Sequence, residues 1–147
     1  MRRQIGAVAL EFLMLFPFVV AMLYAAAIYG IVFFSQYRLQ NVVDRSVSTA
    51  LYVDRSAYAA SDLQNQVESR ARAVLLGLLQ QQPEPLKSMS PGEDACGVET
   101  IGGVEMLRCT LTYNYKAKPI VPVMSFGMLG TFPPLPDTLT AEAHAAF

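Results

Sequence analysis

Glu11 is an ionisable residue at the edge of a long apolar segment. The run from Phe12 to Phe34 contains no charged residue, and as a helix it would be about 34 Å long, enough to cross a bilayer. A carboxylate beside hydrocarbon is costly unless a cation neutralises it. A cut between Gly6 and Ala7 would create an α-amine one helical turn before Glu11, and this amine is mostly protonated at neutral pH. Cleavage would therefore supply a cation for Glu11 of the same chain or of a neighbouring subunit.

The two cysteines are the second candidate for chemistry. The segment Ile101–Val104, with two central glycines, predicts a two-residue hairpin turn because glycine readily adopts the positive φ angles that such turns need. Pairing Ile101 with Val104 places Cys96 opposite Cys109 in a non-hydrogen-bonded pair, within reach of a disulfide. Two free buried thiols are the alternative. Two cysteines and one distant histidine do not make a zinc set.

No enzyme is predicted. His144 is the only histidine, and neither a Gly-rich phosphate loop nor a serine elbow accompanies it. It shares a predicted strand face with Glu142, which favours a solvated polar face. No cofactor is expected. A net charge of -1 without a basic cluster argues against a nucleic-acid partner.

The apolar run predicts a membrane helix with a defined orientation. An apolar fraction of 53% is too high for a typical soluble domain. Arg2 and Arg3 precede the run without an acidic residue, so the N-terminus is expected in the cytoplasm and the following domain outside it. A cleaved secretory signal peptide, with an A-x-A pattern at Ala25–Ala27, is one alternative. An unprocessed signal-anchor helix is the other.

Two helices are predicted. The first extends from near Ala7 to about Tyr58, and Pro17 inside it predicts a kink or a loosened turn. The second begins at a capping box formed by Ser61 and Gln64 and ends after Gln82. Apolar residues recur at helical spacing along both: Leu39, Val42, Val43, Val47, Ala50 and Leu51 in the first, and Leu63, Val67, Ala71, Val74, Leu75, Leu78 and Leu79 in the second.

The C-terminal part predicts a small antiparallel sheet. Alternation after the hairpin turn puts Leu107, Leu111 and Tyr113 on the face of the cysteines. A last strand is predicted over Leu139–Phe147. The proline-rich stretch Pro119–Pro136 is expected to be an edge segment or an ordered loop. The fold class is α+β: a long N-terminal transmembrane helix continuing into an amphipathic extension, a second helix, and a sheet with a disulfide-linked hairpin.

The pattern around Gly6 and Glu11 resembles a known family. A six-residue leader ending in glycine, with Glu-Phe following the next four residues, is similar to the TadE/TadF-like minor pilins of tight-adherence (Flp) type IV pili. The resemblance implies that a prepilin peptidase cuts between Gly6 and Ala7. It also implies that Glu11 and Phe12 serve recognition and assembly. Principal Flp pilins are much shorter, so it points to an accessory subunit with a type IV pilin-like fold.

The resemblance implies a domain plan and partners. Residues 1–6 would be the leader, 7–34 the transmembrane and assembly helix, 35–60 its amphipathic extension and 61–147 the extracytoplasmic domain. The expected location is the bacterial inner membrane, single pass, with a periplasmic C-terminal domain, and after assembly the pilus. Expected partners are prepilin peptidase, other pilin and minor pilin subunits, the inner-membrane assembly platform and the lipid bilayer, and the expected outcome is adhesion and biofilm formation.

The alternative function is that of a membrane-anchored adhesin or envelope-binding protein that is not a fibre subunit. The apolar stretch Ile120–Leu135 is a candidate contact surface under either hypothesis. Packing of this stretch on the chain's own domain is the competing interpretation.

Overall fold

One long helix forms the N-terminal part of the chain. The structure is a computed structural model that describes residues 4–122, 124–125, 127 and 130–147, without the side chains of residues 4–8, 55, 60, 61 and 93. Helix α1 spans Gln4–Ala50, with Pro17 inside it. The kink predicted at Pro17 stays a prediction. Met1 to Arg3 of the predicted leader lie outside the described residues.

The predicted second helix, hairpin and last strand follow along the chain, together with two short strands that were not predicted. They are helix α2 (Ala60–Gln80) and strands β1 (Cys96–Ile101), β2 (Val104–Asn114), β3 (Met124–Ser125), β4 (Thr131–Phe132) and β5 (Thr138–Ala146). Strands β1, β2 and β5 form an antiparallel sheet in the order β1-β2-β5, and β3 and β4 form a second, two-stranded sheet. The chain divides into two compact units. Unit 1 contains residues up to Phe33 together with Val121–Leu135, and unit 2 contains Phe34–Ile120 and Pro136–Phe147.

Helix α1 ends at Ala50, before the predicted end near Tyr58. A short 3₁₀ turn follows at Arg55–Ala57, and Asp54 caps it by accepting hydrogen bonds from the Ser56 backbone N–H and hydroxyl at 3.0 and 2.7 Å. Local bonds of this type compete with the helical ladder. The same hydrogen bonds hold the pKa of the Asp54 carboxyl below its usual range. The predicted helix end was therefore wrong, because the side chain of Asp54 stabilises a 3₁₀ turn where the helix was expected to continue.

Helix α2 begins without the predicted capping box. The N-cap position is Ala59, which makes no side-chain cap, and the Asp62 and Leu63 N–H groups donate to its carbonyl. Gln64 does not turn back to the helix start, since its amide donates to Glu105 Oε1 at 2.7 Å. Asp62 in the first turn complements the positive end of the helix dipole instead. The helix thus starts one residue before Ser61.

The hairpin forms in the predicted register. Ile101 pairs with Val104 and Cys96 with Cys109. Gly102 and Gly103 have φ angles of 61° and 85°, values that side-chain-bearing residues rarely adopt. The last strand, predicted from its alternating residues, is confirmed as β5, and it pairs antiparallel with β2.

The core of unit 2 is formed by the apolar side chains on one face of α1, one face of α2 and one face of the sheet. Burial follows the helical and strand periods predicted from the sequence. The Tyr113 hydroxyl donates to the Lys118 carbonyl. Burial raises the pKa of Tyr113, and the neighbouring Tyr115 adds a smaller contribution in the same direction. Buried apolar residues include Leu39, Val42, Val43, Val47, Ala50, Val67, Ala71, Leu75, Leu79, Leu107, Cys109, Leu111, Tyr113, Leu139 and Ala141.

Side chains from the helices bond to both outer strands of the sheet. On the β5 side, Gln36 donates to the Thr140 carbonyl and Gln40 donates to the Glu142 carbonyl, the latter at 2.8 Å. On the β1 side, the Glu68 carboxylate accepts from the Val98 N–H at 2.7 Å. The outer strand of a sheet normally has backbone N–H and C=O groups without a partner strand. Here three of these edge groups are hydrogen-bonded to side chains of the helices. We call these three side-chain bonds the edge contacts.

Adjacent leucines on α2 provide a matched test of this core. Leu75 is fully buried, whereas Leu76 is 42% exposed. Leu75→Ala is expected to lower the free energy of unfolding by about 2 to 5 kcal/mol, because it removes buried methyl groups and leaves a cavity. Leu76→Ala is expected to change it by about 0.5 kcal/mol. Denaturant unfolding of both variants in detergent checks this; equal midpoints would contradict the assigned helix face.

Candidate assembly helix and processing site

The predicted processing site lies in the first turns of α1. The backbone is helical from Gln4, so the Gly6–Ala7 bond and Glu11 belong to one continuous helix. Ala7 and Glu11 are four residues apart, which places them on one face with an axial rise of about 6 Å. The backbone is therefore helical through the predicted site, and the cut itself stays a prediction. The side chain of Ala7 lies outside the described residues.

The apolar helix surface after this site is uncovered on every side. All residues from Ala9 to Leu23 are exposed, including the consecutive Phe12, Leu13 and Met14 at 68, 74 and 75%. Successive residues of a helix point in directions about 100° apart, so these three alone cover most of its circumference. An apolar surface that surrounds a helix in this way needs lipid or other helices in contact with it. In the part of the chain that the structure describes, one helix is long and apolar enough to cross a membrane.

The proline-rich segment contacts this helix further along. The Tyr24 hydroxyl donates to the Pro122 carbonyl at 3.1 Å, and the Tyr29 hydroxyl donates to the Pro134 carbonyl at 2.9 Å. Ile28, between them, is 4% exposed. Within unit 1, Pro122 and Pro134 therefore contact the apolar helix. Of the predicted contact surface Ile120–Leu135, Val123, Phe126, Met128 and Leu129 lie outside the described residues.

Sequence reasoning did not find this contact. The available signal was the presence of two tyrosines, Tyr24 and Tyr29, inside an otherwise apolar run. A phenol hydroxyl in an apolar environment needs an acceptor, and the run itself offers only carbonyls that the helix already uses. The proline-rich segment provides those acceptors.

The disulfide connects the start of β1 to the middle of β2. The Cys96 and Cys109 sulfur atoms are 2.07 Å apart and their Cα atoms 4.1 Å apart. Both residues are buried, at 4 and 0% exposure. The bond closes a short loop, which by chain-entropy reasoning stabilises the fold by about 3 kcal/mol. The predicted pairing is confirmed, and the alternative of two free thiols does not hold.

The outer sheet face carries a charged cluster from all three strands. Arg108 lies opposite His144 and contacts Glu142 at 2.7 Å and Glu99 at 3.6 Å. His144 is also 2.8 Å from Glu142 and 3.5 Å from Glu99. The four side chains are between about one third and one half exposed, and ion pairs exposed in this way contribute little to stability. Sequence reasoning placed Glu142 and His144 together but did not include Arg108 and Glu99.

These features define a class of protein: an α+β chain with one N-terminal apolar helix compatible with single-pass membrane anchoring. Residues 6–47 match the family described as TadE-like protein, which is associated with the tight-adherence (Tad) pilus. The match begins at Gly6 and includes Glu11, Phe12 and the whole apolar run, so the resemblance stated from the sequence is confirmed for this segment. Neither the curated proteins nor the solved structures gave a match.

Proposed function

We propose that the protein is a minor pilin of the tight-adherence system, cut by a prepilin peptidase between Gly6 and Ala7 and assembled through its N-terminal helix. The observation that carries the proposal is the coincidence of the TadE-like match at residues 6–47 with an apolar helix that is exposed on every side from Ala9 to Leu23. Such a helix can lie in lipid before assembly and pack against other subunits afterwards.

The orientation rests on the charges at the two ends of the run. Arg2 and Arg3 hold the leader in the cytoplasm, according to the distribution of basic residues in membrane proteins. The domain after the helix is then periplasmic. The buried disulfide between Cys96 and Cys109 supports a periplasmic location of this domain, because such bonds persist in oxidising compartments.

The start of α1 suits cleavage. Its first turn contains no acidic residue, so nothing there complements the helix dipole. Gly6 weakens the helix further, by about 1 kcal/mol relative to alanine. The scissile bond therefore lies near a helix end that is only weakly stabilised. After the cut, the new α-amine on Ala7 provides the cation for Glu11.

The mature N-terminus tests the proposal directly. Protein purified from the native membrane or pilus fraction is expected to start at Ala7, as measured by N-terminal sequencing and intact mass. The same protein from cells that lack the prepilin peptidase is expected to keep its leader. Retention of Met1 in cells with an active peptidase would remove the main support for a pilin.

A further inference from the structure

We propose that the open edge of strand β2 at residues 112–114 is a docking site for an extended peptide of another protein, which adds to the sheet beside β2. The peptide carries a carboxylate, at its C-terminus or on a side chain, that pairs with Lys118. Its chemistry is thus a backbone in strand conformation and one negative charge. The site lies within unit 2 and does not depend on the proposed cleavage of the leader.

Strand β2 extends beyond its neighbour β1. Strand β1 begins at Cys96, opposite Cys109, whereas the pairing of β2 with β5 continues to Asn114. In the part of the chain that the structure describes, residues 110–114 are therefore paired with a strand on one side only. Thr110 is half-buried and Thr112 is exposed, so the accessible part of this edge begins near Thr112. An added peptide would fill the position that a longer β1 would occupy.

The backbone groups on the open side belong to Thr112 and Asn114. Cys96 and Cys109, with Cα atoms 4.1 Å apart, form a non-hydrogen-bonded pair. Because the antiparallel pattern alternates, the even-numbered residues of β2 direct their N–H and C=O groups toward the β1 side. The Asn114 carbonyl accepts the Lys118 N–H at 3.2 Å, and no bond to the Thr112 N–H or carbonyl is found among the described residues. Such groups can pair with an incoming strand.

A cleft lies along this edge. Three successive residues of β2, 112–114, line it, although successive side chains of a strand point to opposite faces, so the cleft follows the edge of the strand. Ser88 and Met89 line the opposite wall. The Met89 N–H donates to the Leu86 carbonyl at 3.0 Å, so this wall bonds within its own loop and does not replace a strand. The cavity volume is about 330 Å³, at the lower end of the range for ligand sites, which suits a short peptide.

The charge of the cleft favours an anionic peptide. Among the described residues that line the cleft, Lys118 is the only charged one, and the ion pairs of the described residues do not include it. Its backbone is held at the end of β2, because its carbonyl accepts the Tyr113 hydroxyl and its N–H donates to the Asn114 carbonyl. A carboxylate at this end of an added strand can therefore pair with the Lys118 ammonium.

Nuclear magnetic resonance of the full-length protein in detergent micelles tests the site residue by residue. The probe is an acetylated pentapeptide of alternating threonine and valine with a free C-terminal carboxylate. One control peptide is N-methylated at every central residue, which removes the N–H groups that pair strands, and a second has an amidated C-terminus. Lys118→Gln removes the cation of the cleft. Lys116→Gln is the matched control, because Lys116 is exposed and contacts Asp137 at 3.8 Å instead.

The unmodified peptide is expected to shift the amide signals of Thr112 and Asn114 and to slow hydrogen exchange of the Thr112 N–H. The N-methylated peptide should cause neither change. Amidation and Lys118→Gln should each weaken binding by about two- to fivefold, the range for an exposed ion pair, whereas Lys116→Gln should not.

Three results would overturn the proposal. Equal binding of the N-methylated peptide would exclude strand addition. Signal shifts confined to residues outside the cleft, or no shifts at millimolar peptide, would exclude the site. Unchanged affinity in Lys118→Gln would exclude recognition of the carboxylate by this residue.

Discussion

Glu11→Ala is expected to abolish pilus assembly while the protein remains at its normal level in the membrane. The reason is electrostatic: in the proposed mechanism, the α-amine released on Ala7 and the Glu11 carboxylate neutralise each other within or between subunits. Removal of the carboxylate makes insertion into lipid easier and leaves the amine unpaired. Insertion and assembly should therefore respond differently to the same substitution.

The measurement compares sheared pili with membrane fractions by immunoblotting. Glu84→Ala is the control, because it also removes one carboxylate, from an exposed residue outside the apolar helix. It is expected to assemble normally. Intact pili in Glu11→Ala cells with loss of surface adhesion would favour the alternative of an anchored adhesin. Loss of the protein from the membrane would show that Glu11 acts at insertion, and would contradict the assembly role.

Gly6→Val is expected to block leader removal almost completely. A branched side chain next to the scissile bond hinders access of a peptidase, and in the proposed processing the bond after Gly6 is the one that is cut. The precursor should accumulate in the membrane, detected by its larger mass and by an N-terminus at Met1. Pilus assembly should fail for the same reason as in Glu11→Ala, since no α-amine forms on Ala7.

Gly30→Val provides the control for placing valine at a helical glycine. A Cβ atom at Gly30 would meet no atom of the chain within 4 Å, so the substitution should leave leader removal unchanged. Normal maturation of Gly6→Val would contradict cleavage at this bond. A defect shared by the two variants would point to helix propensity and not to the peptidase.

The sequence predicted the sheet well because its information is local. The turn at Gly102 and Gly103 sets the hairpin register, and from that register the pairing of Cys96 with Cys109 follows by counting outward. The apolar stripe of α2 is equally local, since its period alone tells which residues face the core. No knowledge of distant segments was needed for either result.

Helix boundaries and long-range contacts were less predictable. Ser61 and Gln64 have the residue types of a capping box, but Gln64 bonds to Glu105, which lies 41 residues away in the chain. The end of α1 depends on a competition between the helix and the Asp54 cap. The contact of Pro122 and Pro134 with α1 is more distant still, and its only sign in the sequence is a pair of tyrosines in an apolar run.

The edge contacts also restrict how copies of this protein can associate. Polymers can grow by strand addition, in which a free sheet edge accepts a strand from another chain. Here an incoming strand would have to displace Gln36 and Gln40 from the Thr140 and Glu142 carbonyls, or Glu68 from the Val98 N–H. Strand addition is thus opposed at both outer strands of the three-stranded sheet.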